Sequence, residues 1–236
     1  MNRSSAPPSS PPDWLQAAGI RLLAWWPAKL IGISLGMSVF FAVYFWVLRH
    51  PLYPVTIMPL TAIDRWIGFQ PAALPLYLSL WLYVVLAPSL LTSRRELVAC
   101  GLAWTALSAI GLGIFLRWPT IVPRPAIDWS LHPSLAFLKS VDASGNACPS
   151  LHVAFAVFTA FALGRILRKL GAGPGMRAGN WLWCLVILYS TVATLQHVFL
   201  DVVAGAALGT LIALGFLPWL RGESDNSAGL REINRI

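Results

Sequence analysis

The sequence predicts an all-α, polytopic membrane helix bundle with six transmembrane helices, and three observations predict it. The chain of 236 residues is 57% hydrophobic and only 11% charged, with a mean hydropathy of +0.69, where a soluble domain carries roughly a quarter charged residues. Its apolar residues gather into six runs, near 30–48, 74–92, 97–116, 150–168, 180–196 and 198–219, each close to the about 20 helical residues that cross the hydrocarbon. The 12 tryptophans fit the same class, because Trp collects at the membrane–water interface.

Taken in order, residues 1–29 are expected to form a cytoplasmic tail. "MNRSSAPPSSPPDW" is rich in Pro and Ser and has no apolar centre, so it reads as disordered rather than as a cleaved signal peptide. "DWLQAAGIRLLAWWPAKL" follows, in which Asp13 would cap a short helix lying in the interface. Residues 30–220 hold the six spans, and 221–236 form a second cytoplasmic tail. The fifth and sixth runs nearly touch, which leaves the boundary between them open.

Orientation follows from the positive residues. Of the 17 Lys and Arg, 12 fall on the side of the termini and 5 on the other, so the positive-inside rule places both termini in the cytoplasm. The connections 49–73 and 117–149 then face outward, with Trp66, Phe69, Trp118 and Trp129 near the bilayer surface. The same rule explains the net charge of +8 without nucleic acid, and no basic-aromatic patch argues otherwise. Cys100, Cys148 and Cys184 form no CxxC pair, which argues against a disulfide framework or thiolate metal site. No internal repeat supports an inverted-repeat transporter. Two GxxxG patterns, Gly32/Gly36 and Gly205/Gly209, are expected to let helices pack closely.

The chemistry-bearing residues lie at the outer ends of spans three to six. "RWPTIVPRP" carries Arg117 and Arg124, whose forked donors suit phosphate oxygens; snorkelling to lipid headgroups is the plainer reading. In "PSLH", Ser150 sits at a helix start whose free N–H groups favour an anion, or it simply caps that helix. His152 lies in the same first turn and is a proton donor or an interfacial residue. "STVATLQHVFLD" sets His197 four residues before Asp201, which on a helix places both on one face. Such a carboxylate would fix the imidazole tautomer and leave the other nitrogen nucleophilic, the alternative being a structural buried pair. Intramembrane ionisable residues favour function. Together these groups amount to a phosphoryl-transfer set that needs no metal or other cofactor. A zinc site drawn from Asp128, His132, His152, His197 and Asp201 is the rival, without a compact HxxxH or HExxH pattern.

These residues resemble the type 2 phosphatidate phosphatase superfamily, whose pattern is K-x6-R-P, then P-S-G-H, then S-R-x5-H-x3-D, usually on six transmembrane helices. "RWPTIVPRP" matches the first element with Arg117 in place of Lys. "PSLH" at 149–152 matches the second with Leu151 in place of Gly, and residues 190–201 match the third with Thr191 in place of Arg. The resemblance covers about residues 30 to 220 and implies that this segment is catalytic. It implies that His197 is the nucleophile, forming a phosphohistidine, that Asp201 orients it and that His152 protonates the leaving oxygen. Arg117, Arg124, Ser150 and the backbone near Leu151 would hold the phosphoryl group. Thr191 removes one cation from that set. "PSLH" is similar to the branch that includes inositol-phosphorylceramide synthases, which pass a headgroup between lipids.

The expected protein is therefore a metal-independent lipid phosphatase or phosphotransferase of the inner membrane, its site facing outward. Its partners would be a phospholipid, polyprenyl phosphate or sphingolipid phosphate and the surrounding lipids, with no nucleic acid. A non-catalytic lipid-phosphate carrier or scaffold and a metal-dependent membrane hydrolase are the alternatives.

Overall fold

The computed structural model describes residues 14–123, 125–142, 145–216 and 218. Arg124, Asp13 and the two tail segments at 1–12 and 219–236 lie outside them. The described residues are mostly helical: α1 (Trp14–Leu23), α2 (Trp26–Arg49), α3 (Ala62–Ile67), α4 (Leu74–Leu78), α5 (Leu80–Ser89), α6 (Arg94–Arg117), α7 (Pro133–Asp142), α8 (Leu151–Lys169), α9 (Pro174–Ala193) and α10 (Phe199–Phe216). Five stretches are long and apolar enough to cross a membrane: α2, Pro71–Ser89, α6, α8 and α10. The chain is an integral membrane helix bundle.

α9 is the sixth predicted span, and it differs from the other five. It has 20 residues, but Arg177 and Asn180 near its start dilute the apolar run, and it is not among the five. Asn180 is buried as interhelical glue: its Oδ1 accepts from Tyr83 Oη of α5 at 2.7 Å, and its Nδ2 donates to the Ala160 carbonyl of α8 at 2.9 Å. Such hydrogen bonds hold helices together where lipid supplies no hydrophobic drive between them. The stretch expected as one span at 74–92 is broken near Ser79 into α4 and α5, with a short 3-10 turn (Pro71–Ala73) ahead of them.

Helix starts are set by side chains. Ser93 and Glu96 form a reciprocal capping box at α6, and Glu96 Oε1 also lies 3.6 Å from Lys169 Nζ at the far end of α8. Lys29 was expected in the tail. It sits instead in the first turns of α2, where Nζ donates to the carbonyls of Arg21 and Ser89, both at 2.7 Å. Those carbonyls close α1 and α5, the negative ends of two helices.

α8 is the axis of the bundle. It packs against α10, α9 and α5, and 72% of its span is buried against 6% of the α2 span. Gly205 and Gly209 of α10 approach the α8 backbone so closely that a Cβ at either would run into the Ser150 or Ala154 carbonyl oxygen. Gly32 and Gly36 do not behave as the pattern predicts: a Cβ at either meets no atom within 4 Å, and both line a cavity between α2 and the rest of the bundle.

The two long connections are tied together at one end of the bundle, which the sequence pattern does not reveal. β1 (Thr56–Ile57) pairs in parallel with β2 (Thr120–Ile121), and Gly145 bridges Ile121 on the other side. Asp64 closes a capping box with Thr61 and accepts from Phe199 N at 2.7 Å, so the first connection is pinned to the start of α10.

Candidate active site

The site grows from two reversals of the chain that meet at that end. The first is "GNACPS", residues 145–150. Ala147 N donates to Thr120 O at 3.3 Å, Cys148 N to Thr120 Oγ1 at 2.8 Å, and Ser150 N to the Asp201 carbonyl at 3.0 Å. The strap is thereby fixed to β2 on one side and α10 on the other. Ser150 is fully buried, and its Oγ accepts from Val153 N at 3.3 Å, capping α8.

The second reversal joins α9 to α10. Leu195 takes the left-handed conformation, φ 56°. Its N–H reaches Val192 O at 2.9 Å and Gln196 N reaches Thr191 O at 3.0 Å, the two bonds of a Schellman termination with Leu where Gly is usual. His197 N then donates to Thr191 O as well, at 3.1 Å. His197 therefore lies in the turn and not on a helix, which corrects the expectation of an i, i+4 pair on one helical face. Asp201 sits in the first turn of α10, with Oδ2 accepting from Val198 N at 2.9 Å.

The pair still meets. His197 Nδ1 is 3.5 Å from Asp201 Oδ2, but its nearer partner is the Ala147 carbonyl at 3.0 Å. A carbonyl only accepts, so Nδ1 carries a proton, and in the neutral ring Nε2 is then the nitrogen with the lone pair. The backbone of residue 147, rather than the carboxylate alone, selects this tautomer. Asp201 is fully buried beside Cys148. Burial first, and then the Asp201 charge and hydrogen bond, push the Cys148 thiol up to about 11.

His152, the second residue of α8, stands opposite. Its ring stacks on Tyr77 at 4.6 Å and meets the edge of Trp81 at 5.6 Å, with Tyr77 Oη 3.5 Å from Nδ1. Its Nε2 is buried with no hydrogen-bond partner among the described residues. The His152 and His197 rings are 6.0 Å apart, centre to centre, and both line one cavity of about 850 Å³. Its other walls come from α2, α4, α5, α6 and α8, among them Phe40, Tyr44, Trp104 and Phe155.

The structure thus brings together His152, His197, Asp201, Ser150 and Leu151, the last packing its side chain against Gly111 of α6. It does not bring Arg117 to them. That side chain is exposed at the end of α6, with Nη1 donating to Tyr53 Oη at 3.3 Å and the guanidinium 5.8 Å from the Tyr53 ring centre. Thr191, in the place of the motif Arg, is buried with Oγ1 donating to Leu188 O at 2.8 Å. A cation that sequence reasoning passed over, Lys139 of α7, donates to Leu195 O at 2.9 Å and brings positive charge onto the His197 turn. Asn146, Tyr77 and Trp81 also went unnoticed. Only Asn146 carried a local signal, a "GN" turn pair.

Two residues of the rival zinc set, His132 and Asp128, are engaged with other partners. His132 packs edge-on against Phe69, and Asp128 Oδ1 accepts from Ser130 N and Oγ at 3.0 and 2.6 Å. Among the described residues no three His, Cys, Asp or Glu side chains cluster as a metal site.

The sequence model of the PAP2 superfamily matches residues 98–225, more than half of the chain, and the chain belongs to that family. Membership supports a phosphatase-type lipid phosphoesterase working on a lipid phosphate in a membrane. The matched region holds most of α6, all of α7 to α10, and both His152 and His197, whereas α2, α4 and α5 lie outside it. No curated protein and no solved structure matches the chain.

Proposed function

We propose that this member of the PAP2 superfamily cleaves the phosphoester of a lipid through a phosphohistidine at His197. The observation that carries the reading is the histidine pair at one end of an apolar cavity between membrane-spanning helices. With Nδ1–H held by the Ala147 carbonyl, Nε2 is the nitrogen left to attack phosphorus. The Nε2–P bond forms as the bond from phosphorus to the lipid oxygen breaks, and His152 gives that oxygen its proton. In the second half, water or an alcohol attacks phosphorus, His152 takes the proton back, and the Nε2–P bond breaks. Asp201 acts behind His197, stabilising the imidazolium that develops during attack and holding the turn through Val198 N.

The cavity supports a long-chain substrate. Its lining on α2 runs from Gly32 to Phe45, about 20 Å along the axis at 1.5 Å per residue. Half the hydrocarbon core is only about 15 Å, so a chain reaching the floor passes the bilayer midplane. In our reading α9 makes a sixth crossing and residues 30–220 form one catalytic unit in an inner membrane. Both tails are then cytoplasmic and the histidines face outward, following the bias of Lys and Arg. Lys139, held on the His197 turn, supplies positive charge for the headgroup, and Arg117 and Arg124 are assigned to it from their motif positions alone. Metal independence belongs to the same reading, as does an acceptor that is either water or another lipid's hydroxyl.

The test uses the full chain purified in detergent with EDTA and a panel of phospholipid, polyprenyl and sphingolipid phosphates, following both free phosphate and transfer to added alcohols. Wild type is expected to turn over in EDTA and to form an acid-labile, alkali-stable phosphoprotein. His197→Ala is expected to lose both, with a fall in kcat of at least about 10³-fold. Label persisting in His197→Ala, or activity restored only by added metal, refutes the mechanism.

A further inference from the structure

The polar end of the cavity is short of charge. Among the described residues that line it, none is Lys, Arg, Asp or Glu, and beside the two histidines its polar lining includes Tyr77, held against His152, and Asn146. Asn146 is 6% exposed, and its Nδ2 has no hydrogen-bond partner. A buried amide without a partner is costly, so such a group in a well-tied segment is placed to take a partner that arrives with the substrate. The segment is well tied: Gly145 bridges Ile121 just before it, and Ala147 N bonds to Thr120 O just after it.

The backbone at this position is also held in an uncommon state. Asn146 has φ 50°, in the left-handed region that Asn tolerates better than most residues. This conformation lets residue 146 present its side chain to the cavity while the next carbonyl, that of Ala147, accepts a hydrogen bond from His197 Nδ1–H. The residue that aims the nucleophile and the unsatisfied donor are therefore neighbours on one rigid strap.

We propose that Asn146 is a phosphoryl-binding residue, its Nδ2 donating to a non-bridging oxygen of the phosphorus attacked by His197. It provides a neutral donor inside a cavity whose third motif has lost its Arg to Thr191. A neutral donor placed where charge develops acts as an oxyanion-hole group, strengthening its bond as the phosphoryl oxygens gain charge. The inference rests on the proposed phosphohistidine chemistry and deepens it.

Two variants separate the side chain from the strap. Asn146→Gly keeps the left-handed backbone, which Gly adopts freely, and removes only the amide. Asn146→Asp keeps the shape and sets a carboxylate against the phosphoryl group. Orthovanadate, a phosphoryl mimic that forms a five-coordinate centre, serves as a probe independent of the lipid panel. Its binding is read as the rise in unfolding temperature of the purified protein.

The expected result is that wild type is stabilised and that Asn146→Gly binds vanadate roughly tenfold or more weakly. Asn146→Asp is expected to show no stabilisation. On a lipid substrate Asn146→Gly is expected to lose about 10²-fold in kcat with little change in KM. Wild-type stabilisation matched by Asn146→Gly, or equal kcat values, overturns the role of Asn146 and leaves the histidine chemistry standing. A wild type that neither binds vanadate nor releases phosphate overturns the underlying reading and this inference with it.

Discussion

Gly205 and Gly209 on α10 lie against the backbone of α8, whereas Gly32 and Gly36 on α2 open onto the cavity. The two pairs share one sequence spacing and sit in helices of similar apolar character. The first pair joins two elements that carry the site, because Ser150 and His152 begin α8 and Asp201 begins α10. The second leaves room. In this protein the small-residue pattern serves contact in one region and vacancy in the other, and which it does depends on what stands opposite.

Substitutions at these glycines test that contrast. Gly205→Ala is expected to have the largest effect, because its Cβ would meet the Ser150 carbonyl and nothing there is a flexible side chain that can turn aside. Overpacking of this kind costs about 1–3 kcal/mol. The shift would also move His152 against His197, so kcat is expected to fall at least tenfold even in correctly folded protein; near-normal turnover and thermal stability would show that α8 and α10 are not in close contact. Gly209→Ala comes next. It meets Ala154, one turn deeper, so a similar loss of stability is expected with kcat of the folded fraction kept within a few-fold.

Gly36→Phe probes the other region. It is expected to leave unfolding temperature almost unchanged and to raise KM several-fold for long-chain lipid phosphates, with no effect on a short-chain one. An equal effect on both chain lengths would mean that the cavity does not hold the chain. The smallest effect is expected from Gly32→Ala, within about 0.5 kcal/mol of wild type, since a methyl there meets open space and Ala is the better helix former. A loss as large as that of Gly209→Ala would erase the distinction between the regions.

The helices were legible in the sequence because hydropathy is local. Five of the six predicted spans correspond to helices long and apolar enough to cross a membrane, and the sixth corresponds to α9, whose polar start weakens the same signal. Helix starts at Ser93 and Ser150 were equally local, since each cap bonds an N–H three residues on. The histidine pair was legible in part. The spacing of His197 and Asp201 pointed to contact, but the helix assumed for it is a turn, because Leu195 in a left-handed conformation ends α9 early. Nothing within a few residues of His197 reveals that the Ala147 carbonyl, 50 positions earlier, is its nearest partner. Nor does the sequence at the end of α6 reveal that Arg117 turns to Tyr53.

By itself the sequence determined the environment and the chemical kit: an apolar chain that belongs in a bilayer, its helical segments, and two histidines with one buried carboxylate near the ends of those segments. Each of these depends on composition or on spacings of a few residues, which the helical repeat converts directly into position. The tertiary structure alone decided which atoms of the kit face each other. It chose the His197 tautomer through residue 147, set the rings 6.0 Å apart, opened the cavity behind Gly32 and Gly36, and left Asn146 Nδ2 unsatisfied within it. These outcomes depend on long-range pairing of the two long connections across β1 and β2 and on the close approach of α10 to α8. Neither is encoded in any short window, because the partners become neighbours only when the bundle closes.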